Sequence, residues 1–430
     1  MSKEEKRFTL GLNLADYNYD AKQCVSCHQC RWIDYNYVLG PDFSWKCPPW
    51  QYQQFDAYGA EGKNRIVNDL LAGRLDWSDP RLRDIVYKDM LCGACDMGCK
   101  RNLDLERQMM LEALRATLVE KGYGPLPQHE APTRNIEETS NIYGDDQAKR
   151  LDWLPEDIKP AEKADILYFV GCRSSLRDTK VSQAATRIFK AAQADFMVMK
   201  DEPCCGNFIY STGQVEKARR LAEQNLRLIR ETGARTVVFT CAHGYKTVKV
   251  DYPKLLGFST SDLGFEVVHL VELIDRWVKD GTLRLTSPVD MKVTYHDPCH
   301  LGRLSEPWIH WEGVRGEWGL LEPTRHFRRG INGVYEPPRD ILRAIPGLEL
   351  VEMYRHHENA WCCGNGGGVK EAYPDLALWT ANERLREAAA VGAQAIVSAC
   401  PACGEILSEV AGDGMKVHDI TELIVRAIGK

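Results

Sequence analysis

The sequence has no apolar run approaching the ~18 residues that a membrane-spanning helix needs, which argues against an integral membrane protein. Its opening stretch, MSKEEKRFTLGLNLADYNYD, carries no apolar signal core, so the expected compartment is the cytoplasm. Neither sign of charge dominates. With 61 acidic and 55 basic residues the net charge is -6, which speaks against a nucleic-acid groove or an anionic membrane surface as the main partner. Flavin and nicotinamide fingerprints are missing. So is a P-loop, because Gly364-Asn365-Gly366-Gly367-Gly368 follows two cysteines and has no strand-to-helix lysine and Ser/Thr.

What the sequence has in abundance is cysteine, 16 in 430 residues. A disulfide scaffold belongs to short exported chains, and this chain is neither short nor expected outside the cell. Cys-x-x-Cys pairs also make zinc knuckles. Runs of three close cysteines with a distant fourth before proline favour iron-sulfur clusters instead.

The first group is Cys24-x-x-Cys27-x-x-Cys30 with Cys47-Pro48 further on, and the second is Cys92-x-x-Cys95-x-x-x-Cys99. In two-cluster ferredoxins three close cysteines hold one cluster and the distant fourth holds the other. By that rule Cys24, Cys27, Cys30 and Cys99 share a cubane, while Cys47 joins Cys92 and Cys95. The second cluster is then one ligand short, and Asp89 stands where the missing cysteine would be. Asp89 is read either as an oxygen ligand, or as a plain surface carboxylate beside a three-iron cluster. Helical periodicity is expected over residues 60–90 and again from Asn102 to Glu120, with residues 1–20 an extended arm. Residues 1–122 thus read as a helical ferredoxin-like unit with two [4Fe-4S] sites, and the Pro-rich, polar residues 123–162 as an ordered linker.

From residue 163 strands and helices alternate, and they do so twice, over 163–285 and 286–430. Ile166–Val170 followed by Gly171-Cys172 matches Val293–Tyr295 followed by His296-Asp297-Pro298-Cys299. Cys204-Cys205-Gly206-Asn207 matches Cys362-Cys363-Gly364-Asn365, and Cys241 matches Cys400. The expected fold is a duplicated α/β domain with mostly parallel strands and crossover helices. The second copy has five cysteines, Cys299, Cys362, Cys363, Cys400 and Cys403. The first keeps Cys172, Cys204, Cys205 and Cys241, but Gly244 stands where Cys403 does. A further iron-sulfur cluster of relay type is expected at those four, with the adjacent His243 as a conceivable ligand. About thirty extra residues separate Cys299 from Cys362. This insertion, 303–340, carries Trp308, His310, Trp311, Trp318, Arg325, His326, Arg328 and Arg329. Its arginines are assigned to docking a partner or an acidic substrate, and Trp311 to filling the groove between the copies.

At these residues the chain resembles the duplicated "CCG" iron-sulfur proteins related to the D subunit of heterodisulfide reductase, in which a ferredoxin unit precedes two CCG domains. The resemblance covers about residues 20–430. It implies that a full five-cysteine set binds a non-cubane cluster of fused iron-sulfur units, where a disulfide is cleaved in two one-electron steps. That role falls on Cys299, Cys362, Cys363, Cys400 and Cys403 only. Chains similar to this one also serve membrane redox complexes in sulfate reducers, benzoyl-CoA reductase complexes and glycolate oxidase. The expected function is an electron-transfer or catalytic subunit of an anaerobic redox complex, partnered by a cytochrome membrane subunit or a flavoprotein and held through it at the inner face of the membrane. A stand-alone thiol-disulfide reductase and a zinc scaffold are the alternatives.

Overall fold

The computed structural model describes residues 12–33, 42–100, 105–309, 313–317, 320–324 and 328–429. Two four-stranded sheets, each entirely parallel, form the body. In the first, β1 (Ile166–Phe169), β2 (Phe196–Met197), β3 (Thr236–Phe239) and β4 (Glu266–His269) lie in the order β2-β1-β3-β4. In the second, β5 (Met291–His296), β8 (Leu348–Leu350), β9 (Ala395–Ser398) and β10 (Lys416–Asp419) lie in the order β10-β9-β5-β8. Between β5 and β8 the insertion carries a short antiparallel ribbon, β6 (Val314–Arg315) and β7 (Leu321–Glu322).

Matching β1 to β5, β3 to β9 and β4 to β10 gives one topology used twice, so the structure bears out the duplicated α/β fold. The central strands are continuous apolar runs such as Thr236-Val-Val-Phe239, because helices cover both faces of a parallel sheet. Leu167, Val237, Val238, Val293, Ile396 and Val397 are fully buried. One continuous apolar core joins the two copies and reaches Met90, Cys92 and Ala94 of the N-terminal segment.

The long helix of the first copy spans Val215–Thr232 and ends on Gly233 in the left-handed conformation. Its counterpart runs Pro374–Ala390. Other expectations need correction. Residues 60–90 form two helices, Ala60–Leu71 and Pro80–Tyr87, because Gly73 has a φ of +70° and Asp79 caps a new start ahead of Pro80. A short helix, Ala94–Lys100, follows, and the one expected from Asn102 to Glu120 is Arg107–Glu120, Asn102 itself lying outside the described residues. Residues 12–23 are no extended arm: Leu14 and Tyr17 are buried with Val67, Val86 and Met110 in a second, helical core. Within residues 123–162 lie the helix Glu130–Thr139 and Trp153, buried edge-on against Tyr168.

Candidate metal centres

No disulfide joins the sixteen cysteines; all are free thiols. In the first group Ser26 and His28 have φ near +53° and +61°, which folds the triplet into a tight loop. Cys24, Cys27, Cys30 and Cys99 line one small cavity with Glu61 and Arg107. Arg107 Nη2 donates to Cys24 Sγ at 3.5 Å and Cys99 Sγ at 3.6 Å, and Leu105 N–H donates to Cys99 Sγ at 3.3 Å. Cys99 thus lies beside the first triplet rather than with its own sequence neighbours Cys92 and Cys95. Cys27 is exposed and Cys30 buried, and burial pushes the Cys30 thiol up to about 12.

Cys47, Cys92 and Cys95 form the second group. Asp89 lies near enough to act electrostatically on all three. Its carboxylate is engaged on both oxygens: Oδ2 accepts from the fully buried Lys63 Nζ at 2.5 Å and Oδ1 from Leu91 N–H at 2.8 Å. The reading of Asp89 as a free surface carboxylate is therefore replaced by a buried ion pair at the edge of the site.

In the second copy Cys299 follows β5 through a turn held by Asp297, whose buried carboxylate takes Arg339 Nη1 at 2.7 Å and Nη2 at 2.9 Å. Burial acts to raise the Asp297 carboxyl, but Arg339 outweighs it and holds the group at about 2. Cys362 and Cys363 precede a glycine loop, and Gly364 N–H donates to Cys362 Sγ at 3.4 Å. A Cβ on Gly364 would lie 2.3 Å from the Ala377 carbonyl oxygen; one on Gly366 would lie 2.5 Å from that of Met90. These glycines serve close packing against the helix Pro374–Ala390 and the N-terminal segment. Cys400 caps the helix Pro401–Ala411, whose first turn carries Cys403.

The first copy repeats this local chemistry. Gly206 N–H donates to Cys204 Sγ, again at 3.4 Å, and Cys172, Cys204, Cys205 and Cys241 line a cavity of about 80 Å³ with Arg173, Phe239, His243 and Gly244. A Cβ on Gly244 would sit 3.0 Å from the Phe239 ring, so the ring crowds the start of any fifth cysteine. His243 lies at the seam between the copies, its ring centroid 4.5 Å from that of His300 and its environment set by burial and by Cys400 and Cys363.

The groups lie close together. Cys92 lies within interaction range of Cys362, whose proximity is the first cause holding the Cys92 thiol down at about 6. Cys241 and Cys400 likewise lie within interaction range of each other across the two copies. Buried N–H groups without acceptors among the described residues lie near the cysteines: Nε and Nη1 of Arg107 and of Arg150, and Nη2 of Arg303. Arg303 sits within the field of Cys92, Cys299 and Cys362. Thiolates with spare cationic donors fit a centre that supplies additional anionic acceptors, which inorganic sulfide does.

Two features escaped the sequence reading. Arg115, fully buried, donates to the carbonyls of Val86, Asp89, Ser211 and Gly367, tying the N-terminal helices to both copies. Arg329, assigned to docking, is instead buried against Asp96 at 2.8 Å and Glu106 at 3.1 Å. His310, Trp311, Trp318, Arg325 and His326 lie outside the described residues.

A family model for the CCG cysteine-rich domain matches residues 166–249 and 324–408. The D subunit of dihydromethanophenazine:CoB–CoM heterodisulfide reductase from Methanosarcina acetivorans is 35% identical over 388 residues, covering 88% of this chain and 86% of that protein. The B subunit of the CoM/CoB fumarate reductase from Methanothermobacter marburgensis is 30% identical, covering 79% of this chain and 61% of its own length. A hypothetical protein from Helicobacter pylori shares the fold, with a TM-score of 0.52 at 10% identity over 86% of this chain and 68% of that one. The chain belongs to the family of CCG-domain iron-sulfur redox proteins that includes the D subunit of heterodisulfide reductase.

Proposed function

We propose that the chain is the electron-carrying and catalytic iron-sulfur subunit of a redox complex, linking two ferredoxin-type centres to a heterodisulfide-reductase-like centre in the second copy. Cys24, Cys27, Cys30 and Cys99 would hold the first, Cys47, Cys92 and Cys95 the second, and Cys299, Cys362, Cys363, Cys400 and Cys403 the non-cubane one. Cys172, Cys204, Cys205 and Cys241 would hold a further cluster. The corresponding division is 1–122, 123–162, 163–285 and 286–430. Such clusters supply one-electron steps that zinc cannot.

The observation that carries this reading is that Cys92 of the N-terminal unit is buried in one continuous core with Cys362, Cys363, Cys400 and Cys403 of the complete five-cysteine set. The chain's own residues do the rest. Arg107, Arg303 and Lys63 offset negative charge, Asp297 and Arg339 hold the Cys299 turn, and Trp361 and Ala399, each no more than 1% exposed, keep water from the second set. Both oxygens of Asp89 being hydrogen-bonded favours a three-cysteine, three-iron second centre.

No helix among the described residues is long and apolar enough to cross a membrane. A membrane cytochrome or a flavoprotein would therefore supply the other half of the reaction, with this chain on the cytoplasmic side. The test is anaerobic isolation with iron and sulfide analysis, EPR at controlled potential and identification of co-purifying chains. Interacting iron-sulfur signals and a redox partner are expected; folded protein holding zinc alone would end the proposal.

A further inference from the structure

The copies differ most where their strands end against the cysteines. In the first, β1 and β3 finish side by side at Phe169 and Phe239, whose rings stack at 5.1 Å. In the second, β5 and β9 finish with His296 paired to Ser398, each 1% exposed. Paired residues on neighbouring strands share a face of the sheet, so one set of cysteines rests on an aromatic floor and the other on a polar one. An imidazole and a hydroxyl buried there cost free energy unless they find partners.

The ring of His296 has one partner. Arg384 Nε donates to its Nδ1 at 3.1 Å, and Arg384, fully buried, is fixed by further bonds to Glu387 and the Arg355 carbonyl. A guanidinium can only donate. Nδ1 must therefore present its lone pair, and the proton of the ring sits on Nε2. Nε2 has no partner among the described residues, and a ring nitrogen of His296 lies with Cys363 Sγ and Cys403 Sγ inside a group whose atoms are all within 4.8 Å of one another; with Nδ1 turned to Arg384, Nε2 is the nitrogen free to face them. Those three residues have the spacing of a metal site. A nitrogen carrying a proton has no lone pair for a metal, so His296 is a donor facing sulfur and not a ligand.

We propose that His296 donates its Nε2–H to the thiolate sulfur of Cys363 or Cys403 and so makes the second cysteine set easier to reduce than the first. This rests on the iron-sulfur reading above. Reduction adds negative charge at the sulfurs, and a fixed N–H in a dry site stabilises the more negative state. The first copy has Phe169 in the matching place and lacks the donor. His296 is thus a positioning residue for charge, and the duplicated strand supplies its own control.

Pulsed EPR of the full chain, isolated anaerobically with 15N-histidine, reads the contact directly in reduced protein. The signal from the second set is the one that Cys403→Ser removes. A weak nitrogen coupling is expected; a coupling of the size given by a directly bound nitrogen overturns the proposal. Potentiometry of His296→Phe, which installs the first copy's residue, should show unchanged iron and a reduction equilibrium at least tenfold less favourable, a fall of about 59 mV for one electron. His296→Gln, which retains an N–H, should recover most of the loss. Full iron with an unchanged potential in His296→Phe overturns the assignment, as does loss of iron from the second set. If the unaltered chain gives no signal that Cys403→Ser removes, the proposed function fails, and this proposal with it.

Discussion

Lys63 is fully buried, and its ammonium has two partners in the described residues, the Tyr58 carbonyl at 2.8 Å and Asp89 Oδ2 at 2.5 Å. In the proposed three-iron centre a cation so placed would hold the carboxylate away from iron, which leads to a first prediction. Asp89→Cys supplies the absent thiolate and should raise the iron content by one atom per chain while removing the three-iron signal, as read by Mössbauer spectroscopy. An unaltered spectrum would mean that position 89 does not face the cluster. Lys63→Met, by contrast, strands a buried carboxylate and should cost about 3–5 kcal/mol in denaturant unfolding. Residues of this kind mark the limit of sequence reading. The cysteines were legible because ligand spacing is local, as in Cys24-x-x-Cys27-x-x-Cys30. Arg329 was misread because its partners, Asp96 and Glu106, lie over 200 positions away, and only folding turns a surface cation into a buried one.

The duplicated elements were readable because their period repeats, as in the helix Val215–Thr232, but the pair of residues capping their final helices was not. His269 caps Leu270–Asp280 and Asp419 caps Ile420–Ile428. Burial, with the charges of Asp178 and Glu422 adding to it, pushes the Asp419 carboxyl up to about 8 despite the bonds from Thr421. An acid whose folded value exceeds its unfolded value of roughly 3.9 loses stability as pH rises between the two, because only the unfolded chain gives up the proton. Unfolding free energy should fall from about pH 4 to pH 8 with a contribution near 1.4 kcal/mol per unit, and Asp419→Asn, which keeps the cap, should flatten that slope. A slope unaffected by the substitution would remove Asp419 as its source. In the other copy, Gly244→Cys should cost about 1–3 kcal/mol through its contact with Phe239. Pairing it with Phe239→Ser relieves that contact but empties the space under Phe169, a loss of about 3–5 kcal/mol, so the double variant should melt below Gly244→Cys alone in thermal unfolding.

For the whole molecule the decisive side chain is Arg115, which satisfies carbonyls from the N-terminal helices and from both α/β copies. Arg115→Met takes the arginine donor from the Ser211 and Gly367 carbonyls, at about 1–3 kcal/mol each, while the Val86 carbonyl keeps its backbone partners. It should split a single unfolding transition into two, with the N-terminal unit released first under limited proteolysis. One cooperative transition in the variant would show that the apolar core alone joins the parts. The helical unit was visible in the cysteine pattern, but the way Gly366 and Gly367 let the second copy close on Met90 and Asp89 was not, since a glycine run of that kind has no single meaning until its neighbour is known.

Cys27 stands in solvent, whereas Cys362, Cys363, Cys400 and Cys403 are 1–4% exposed. Dissolved oxygen therefore meets the outermost thiolates long before it reaches the innermost ones. On brief aeration the molecule should corrode from its rim inward, the Cys27 group bleaching first while the deep set still gives its spectrum.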